Sequence, residues 1–224
     1  MLNVYHGSDH VIEVPLHHGG KRTNDFGYGF HTAADVALAR EWACSDNRDG
    51  FVNCYEADLD GLSVLDLTTP EYTLLNWLAI LANYRTFWQQ GSIAEEARAY
   101  LKQHFFIDPS PYDVVIGHRA DDSSFSFARD FVSGTTSLAR LSEAMRQGTP
   151  AEQIVFKSRE AFSHLCFVGA ESVSAALWYE KLVARDREAL RLYRRTETAG
   201  TITSELFMID IMREGIENGD PRLR

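Results

Sequence analysis

VYHGSDHVIEVPLHHGGKRTNDFGYGFHTA, residues 4–33, gathers five histidines and five glycines near the start of an otherwise ordinary chain. Two short segments frame it. Residues 2–8 (LNVYHGS) and 28–33 (YGFHTA) read as strands, rich in aromatic and β-branched residues and bounded by Gly-, Asn- and Asp-bearing turns. The stretch between them reads as loop. Three readings of that loop compete: a metal cluster, a patch of turns without consequence, or a site that grips a small polar ligand between two strands. His6, His10 and one of His17 and His18 are the right donor type for zinc. No acidic or cysteine partner stands at a recognised spacing, so no metal is expected. His10, His17 and His18 are expected to be solvated. His6, taken alone on an apolar strand, suits a satisfied core histidine better than a ligand-binding one.

Working outward, ADVALAREWACS (34–45) has helical spacing with Asp35 near its start, and 51–59 and 62–67 read as strands. Helices are expected at 73–88 and 93–104, then a buried strand in PYDVVIG, whose neighbouring prolines block helix. Two further helices follow around 124–132 and 137–147, with Gly148 closing the second. EQIVFKS is a strand, REAFSHL a short helix and LCFVGAESV a strand that leads into a long charged helix at 172–195. The polar TETAGTITS joins it to a last helix at 205–217. The order predicts an α+β domain over residues 1–170, with residues 171–224 a C-terminal helical segment packed on it or extending from it.

Composition narrows the function classes. Of 224 residues, 45% are hydrophobic and 24% charged, ordinary values for a globular protein with a full core. A net charge of −10 argues against generic affinity for nucleic acid or anionic membrane, which rests on Lys and Arg neutralising phosphate. The sequence holds no apolar run that would span a bilayer, and MLNVYHGSDH lacks the features of a signal peptide. Cys44, Cys54 and Cys166 are scattered, which suits free thiols and a cytoplasmic location.

Several segments, in order, carry a resemblance. YHGS on the first strand, DFGYGFHTA and the helix ADVALAREWA resemble the ADP-ribosyltransferase fold. They are most similar to a bacterial family of unknown function reading YHGS, then D-F-G-x-G-F-Y-x-T, then a helix ending in W-A. YDVVIGHRADD and EQIVFKSREAF resemble later segments of that family, so the likeness spans about residues 3–170. The resemblance implies a split β-sheet with flanking helices and NAD as cofactor. It further implies ADP-ribosyl transfer to a protein or nucleic-acid acceptor, by a bacterial toxin with a small antitoxin protein as partner. The nicotinamide–ribose bond would break through an oxocarbenium-like state, as in glycosidases. His6 would hydrogen-bond a ribose hydroxyl, and Gly7 would let backbone approach the carboxamide. Gly27 and Gly29 would shape the entry to the second strand, and Phe30 or His31 would pack on the nicotinamide ring. Ser8 and Thr32 complete the implied cofactor-binding set, and His6, His31 and Gln153 the implied catalytic one.

Two positions depart from the family pattern. His31 replaces the usual tyrosine, as in RNA 2'-phosphotransferases of the same fold, whose phosphorylated substrate needs a basic pocket. With Lys21, Arg22 and Arg40 the nearest basic residues, the acidic chain argues against that substrate. Gln153 falls where a catalytic acid is usual, and Glu152 beside it points to the opposite strand face. A glutamine cannot act as general base but can position a ribose hydroxyl. A catalytically inactive NAD-fold binding module therefore stands as an alternative, beside the RNA 2'-phosphotransferase. Asp121 and Asp122 suit a helix cap, or else line the cleft.

Overall fold

In the computed structural model, which describes residues 1–86, 90–147, 152–198 and 205–223, the two framing strands belong to different sheets. β1 (Leu2–Ser8) forms an edge of a three-stranded sheet, pairing antiparallel with β3 (Gly50–Ala57). β2 (Phe30–Thr32) lies at one end of a four-stranded sheet of order β2-β6-β5-β4. There β6 is Glu152–Phe156, β5 is Val114–His118 and β4 is Val64–Asp66. Only the β4–β5 pair is parallel. β7 (Leu165–Val173) completes the first sheet beside β3, across an irregularity at Cys54/Tyr55. The sheets meet where Tyr5 and Ala33 exchange two backbone hydrogen bonds of 2.8 Å. Val4, Phe30, Tyr55, Val114, Ile154 and Phe156 form the apolar core drawn from both sheets.

The expected strand at 28–33 is shorter in the structure because Gly27, at φ 75°, still turns the chain, its N–H bonded to the Asn24 carbonyl. α1 (Val36–Ala43) begins at Asp35, whose carboxylate accepts the Ala37 N–H at 2.8 Å. It buries Leu38, Ala39 and Ala43, and it packs on β1 and β3.

The chain divides into two units. Met1–Asp66, Pro109–His118 and Ala151–Arg185 form the first, which holds both sheets, α1 and the short α6 (Arg159–Ser163). Leu67–Asp108, Arg119–Pro150 and Asp186–Arg224 form the second, which is helical. It contains α2 (Leu74–Tyr84), α3 (Ser92–His104), α4 (Asp122–Val132), α5 (Leu138–Gln147) and α8 (Met208–Glu214). α7 (Ala175–Thr198) contributes to both units. α2 is apolar nearly all round and buries Leu75, Trp77, Leu78, Ile80 and Leu81. Asp121 caps α4, accepting the Ser124 N–H at 3.1 Å. The expected stop at Gly148 and part of the polar joint, 199–204, lie outside the described residues.

The protein is thus α+β, with two sheets and eight α-helices among the described residues. None of the described helices is long and apolar enough to cross a membrane.

Candidate functional site

Alternation along β1 sorts its side chains onto two faces. Tyr5 and Gly7 face α1, while Val4 and His6 face Phe30. The His6 ring lies 4.4 Å from that of Phe30, and its Nδ1 is 2.7 Å from the His31 carbonyl oxygen. A carbonyl only accepts, so Nδ1 carries a proton and donates to it.

β2 meets β6 with His31 opposite Val155, so Gln153, two residues along β6, shares the face of His31. His31 Nδ1 and Gln153 Oε1 are 2.8 Å apart. The Gln153 Nε2–H donates to Asp25 Oδ2 at 2.8 Å and to the His118 carbonyl at 3.3 Å. Gln153 and Asp25 are 1% and 5% exposed, so the carboxylate and amide are sheltered from water, while His31 is half-buried at the cavity. His31 Nε2 lies 3.4 Å from the Gly27 carbonyl oxygen. Glu152 points the other way and is exposed.

His6, Gly29, Phe30 and His31 line a cavity of about 440 Å³ whose other wall is the 10–24 loop, including Ile12 and Glu13. Gln153 stands behind His31, outside the cavity lining. Gly7, Ser8 and Thr32 are also outside the lining. A Cβ on Gly7 would meet the α1 backbone, at 2.2 Å from the Ala39 oxygen. The Ser8 hydroxyl donates to the His10 carbonyl at 2.6 Å and accepts from Asn53 Nδ2 at 2.9 Å. Thr32 is fully buried and donates to the Ile154 carbonyl at 2.8 Å. Gly29 has a tight backbone environment, since a Cβ there would come within 2.5 Å of Val155 Cγ1 and 2.9 Å of the Phe156 oxygen.

The loop wall is held by residues that carried no local signal. Asn53, fully buried on β3, accepts the Ile12 N–H at 2.8 Å and donates to Ser8 Oγ and to the His6 and His10 carbonyls. Tyr55 donates its hydroxyl to the Ile12 carbonyl, and burial pushes its pKa up, which keeps it a donor. Lys157 Nζ donates to the Phe26 and Tyr28 carbonyls at 2.7 and 2.8 Å. His10 and His18 are exposed, as a loop reading expects. His17 is not: half-buried, its Nε2–H donates to the Lys157 carbonyl at 3.0 Å, and its ring packs edge-on to Phe162. Asp25, Lys157 and His118 stood inside quoted motifs, in DFGYGF, EQIVFKSREAF and YDVVIGHRADD, without being singled out.

Among the described residues, no group of three or more His, Cys, Asp or Glu side chains is arranged to hold a metal ion. His118, whose carbonyl closes the Gln153 network, has its imidazole pKa lowered by burial, against an opposing pull from Glu152.

No curated protein and no solved structure matches this chain. A family model described as "Protein of unknown function (DUF3990)" matches residues 2–167, a span that includes the cavity and the Asp25–Gln153–His31 chain and stops within β7. The chain belongs to that family.

Proposed function

We propose that the protein is an NAD-dependent ADP-ribosyltransferase with the split-sheet architecture of that fold. One observation carries the reading. Residues from three strands converge at one cavity: His6 of β1 and His31 of β2 line it, and Gln153 of β6 holds the imidazole of His31. Cavities of this size, apolar with a few convergent polar groups, are the usual form of small-molecule sites.

The lining suits the nicotinamide riboside half of NAD. Phe30 and the tilted His6 ring offer aromatic surface, and the His6 imidazole stands on the lining where a ribose hydroxyl would lie. Glu13 places a carboxylate on the wall, the right sign for a cationic pyridinium. No Lys or Arg among the described residues lines the cavity, so the diphosphate would be held beyond it. NAD supplies an electrophilic ribose carbon whose bond to nicotinamide breaks with the electron pair leaving on nicotinamide; the acceptor nucleophile takes its place and loses a proton. Within this reading His6 orients the ribose, Phe30 packs on the ring that leaves, and Gln153 acts through His31.

The test is direct. Incubating the full chain with NAD should release nicotinamide and label the chain or an acceptor with ADP-ribose. Nicotinamide release indistinguishable from buffer would refute the reading. A second reading, a module that binds a nucleotide without turning it over, is favoured by the burial of Gln153, whose two ends are both engaged inside the protein. NAD binding without nicotinamide release would support it.

A further inference from the structure

A glutamine amide can sit in two orientations, and each would send a different atom to His31. In one, Oε1 faces His31 Nδ1 and Nε2 faces Asp25. In the other, Oε1 would press against an Asp25 carboxylate oxygen 2.8 Å away, two acceptors with no proton between them. A carboxylate only accepts, so it selects the first orientation. The His118 carbonyl, also an acceptor only, stands 3.3 Å from Nε2 and favours the same one. With Oε1 thus aimed at His31, the imidazole must donate from Nδ1 at 2.8 Å. The selection passes from Asp25, through a buried amide, to the proton on a cavity-lining ring.

We infer that Asp25 is a positioning residue of this site: acting through Gln153, it fixes the neutral His31 imidazole as its Nδ1–H tautomer and orients the ring at the cavity wall. The Gly27 carbonyl, 3.4 Å from Nε2, is a competing acceptor, and the shorter 2.8 Å contact decides for Nδ1 while the ring carries one proton. Asp25 lies within the loop that Lys157 ties down through the Phe26 and Tyr28 carbonyls, which holds its carboxylate in place. Asp25 is not among the residues that line the cavity, and its bond to Gln153 gives it a route to the ring that does.

Donor–acceptor logic supplies the test. In Asp25→Asn, the side chain at position 25 can either donate or accept, so only the longer 3.3 Å contact to the His118 carbonyl still favours the first orientation and His31 should gain the second tautomer. In the double variant Asp25→Asn, Gln153→Glu, the acceptor-only group moves to position 153. The new amide at position 25 and the His31 ring must then both donate to it, and the Nδ1–H tautomer should return. NMR of isotope-labelled imidazole nitrogens distinguishes the tautomers, and melting curves report folding. The expected series is one tautomer in the parent chain, a mixture in the single variant and one again in the double. A single variant whose His31 signals match the parent overturns the inference, as does a double variant that keeps the mixture or does not fold. If Asp25→Asn does not fold, the double variant decides alone, by the same tautomer signals.

The activity arm rests on the transferase reading; the tautomer arm does not. Nicotinamide release should fall by about 10- to 100-fold in the single variant, the scale of a misplaced reactive group, and recover in the double. The expected tautomer series in a parent chain that leaves NAD intact would sink the transferase reading and leave the role of Asp25 standing.

Discussion

Gly7→Ala asks whether β1 carries glycine there because of α1 or because of a ligand. A Cβ built on Gly7 lies 2.2 Å from the Ala39 oxygen, 2.6 Å from the Ala43 nitrogen and 3.0 Å from the Trp42 carbonyl carbon. All three are backbone atoms of α1, and the first two are the carbonyl and amide that an α-helix pairs as i and i+4. No side-chain rotation can relieve the overlap. Restoring ordinary contact distances requires α1 to retreat by about 1 Å, which loosens the contact that buries Leu38, Ala39 and Ala43. Overpacking of this kind costs about 1–3 kcal/mol, and the rigid obstacle puts Gly7 at the upper end. For a chain of this size, ~3 kcal/mol lowers the melting temperature by about 6–12 °C. Gly169→Ala is the control, because that β7 position in the same sheet has nothing within 4 Å of the new Cβ. Its stability should stay within about 1 kcal/mol of the parent. Thermal melts of the two variants beside the parent make the comparison. A Gly7→Ala chain that melts with the Gly169→Ala control would refute α1 packing as the reason for glycine at this position.

Removing the His6 ring in His6→Ala should abolish nicotinamide release while the chain still folds, since the ring is only half-buried; loss of folding with unchanged turnover per folded molecule would mark His6 as purely structural. Asn53→Ala removes the partner of the Ile12 N–H and three further bonds to the loop base, so stability should fall by about 2 kcal/mol and Ile12 amide exchange should quicken. Unchanged exchange at Ile12 would count against Asn53 as the loop anchor. His118 titrates in the folded chain below its ordinary value of 6.5, so between the two values the unfolded chain binds more protons. Its contribution is therefore whole above pH 6.5 and is lost as pH falls towards the folded value; His118→Gln should flatten urea midpoints across that interval, and an unaltered slope would contradict the assignment.

Much of the fold was legible because secondary structure is written in short-range patterns. The limits of β1 and β7 follow from runs of strand-forming residues between turns, and Asp35 and Asp121 cap the helices they precede, through bonds spanning two and three residues. Four residues of the YHGS and DFGYGFHTA segments, His6, Gly29, Phe30 and His31, line one cavity. The roles of their neighbours were not legible. Nothing local announced that the Gly7 Cβ position faces the α1 backbone or that the Thr32 hydroxyl bonds the Ile154 carbonyl of β6.

What the sequence alone determined is the set of elements and the α+β class, since periodicity, capping and turn chemistry act between residues a few positions apart. Tertiary structure decided which sheet each framing strand joined, that Asn53 and Tyr55 hold the loop from 41 to 43 positions away, and that Gln153 is buried between His31 and Asp25, 122 and 128 positions from it. A buried amide takes whichever partners packing brings within about 3 Å, and only the folded chain brings those partners together.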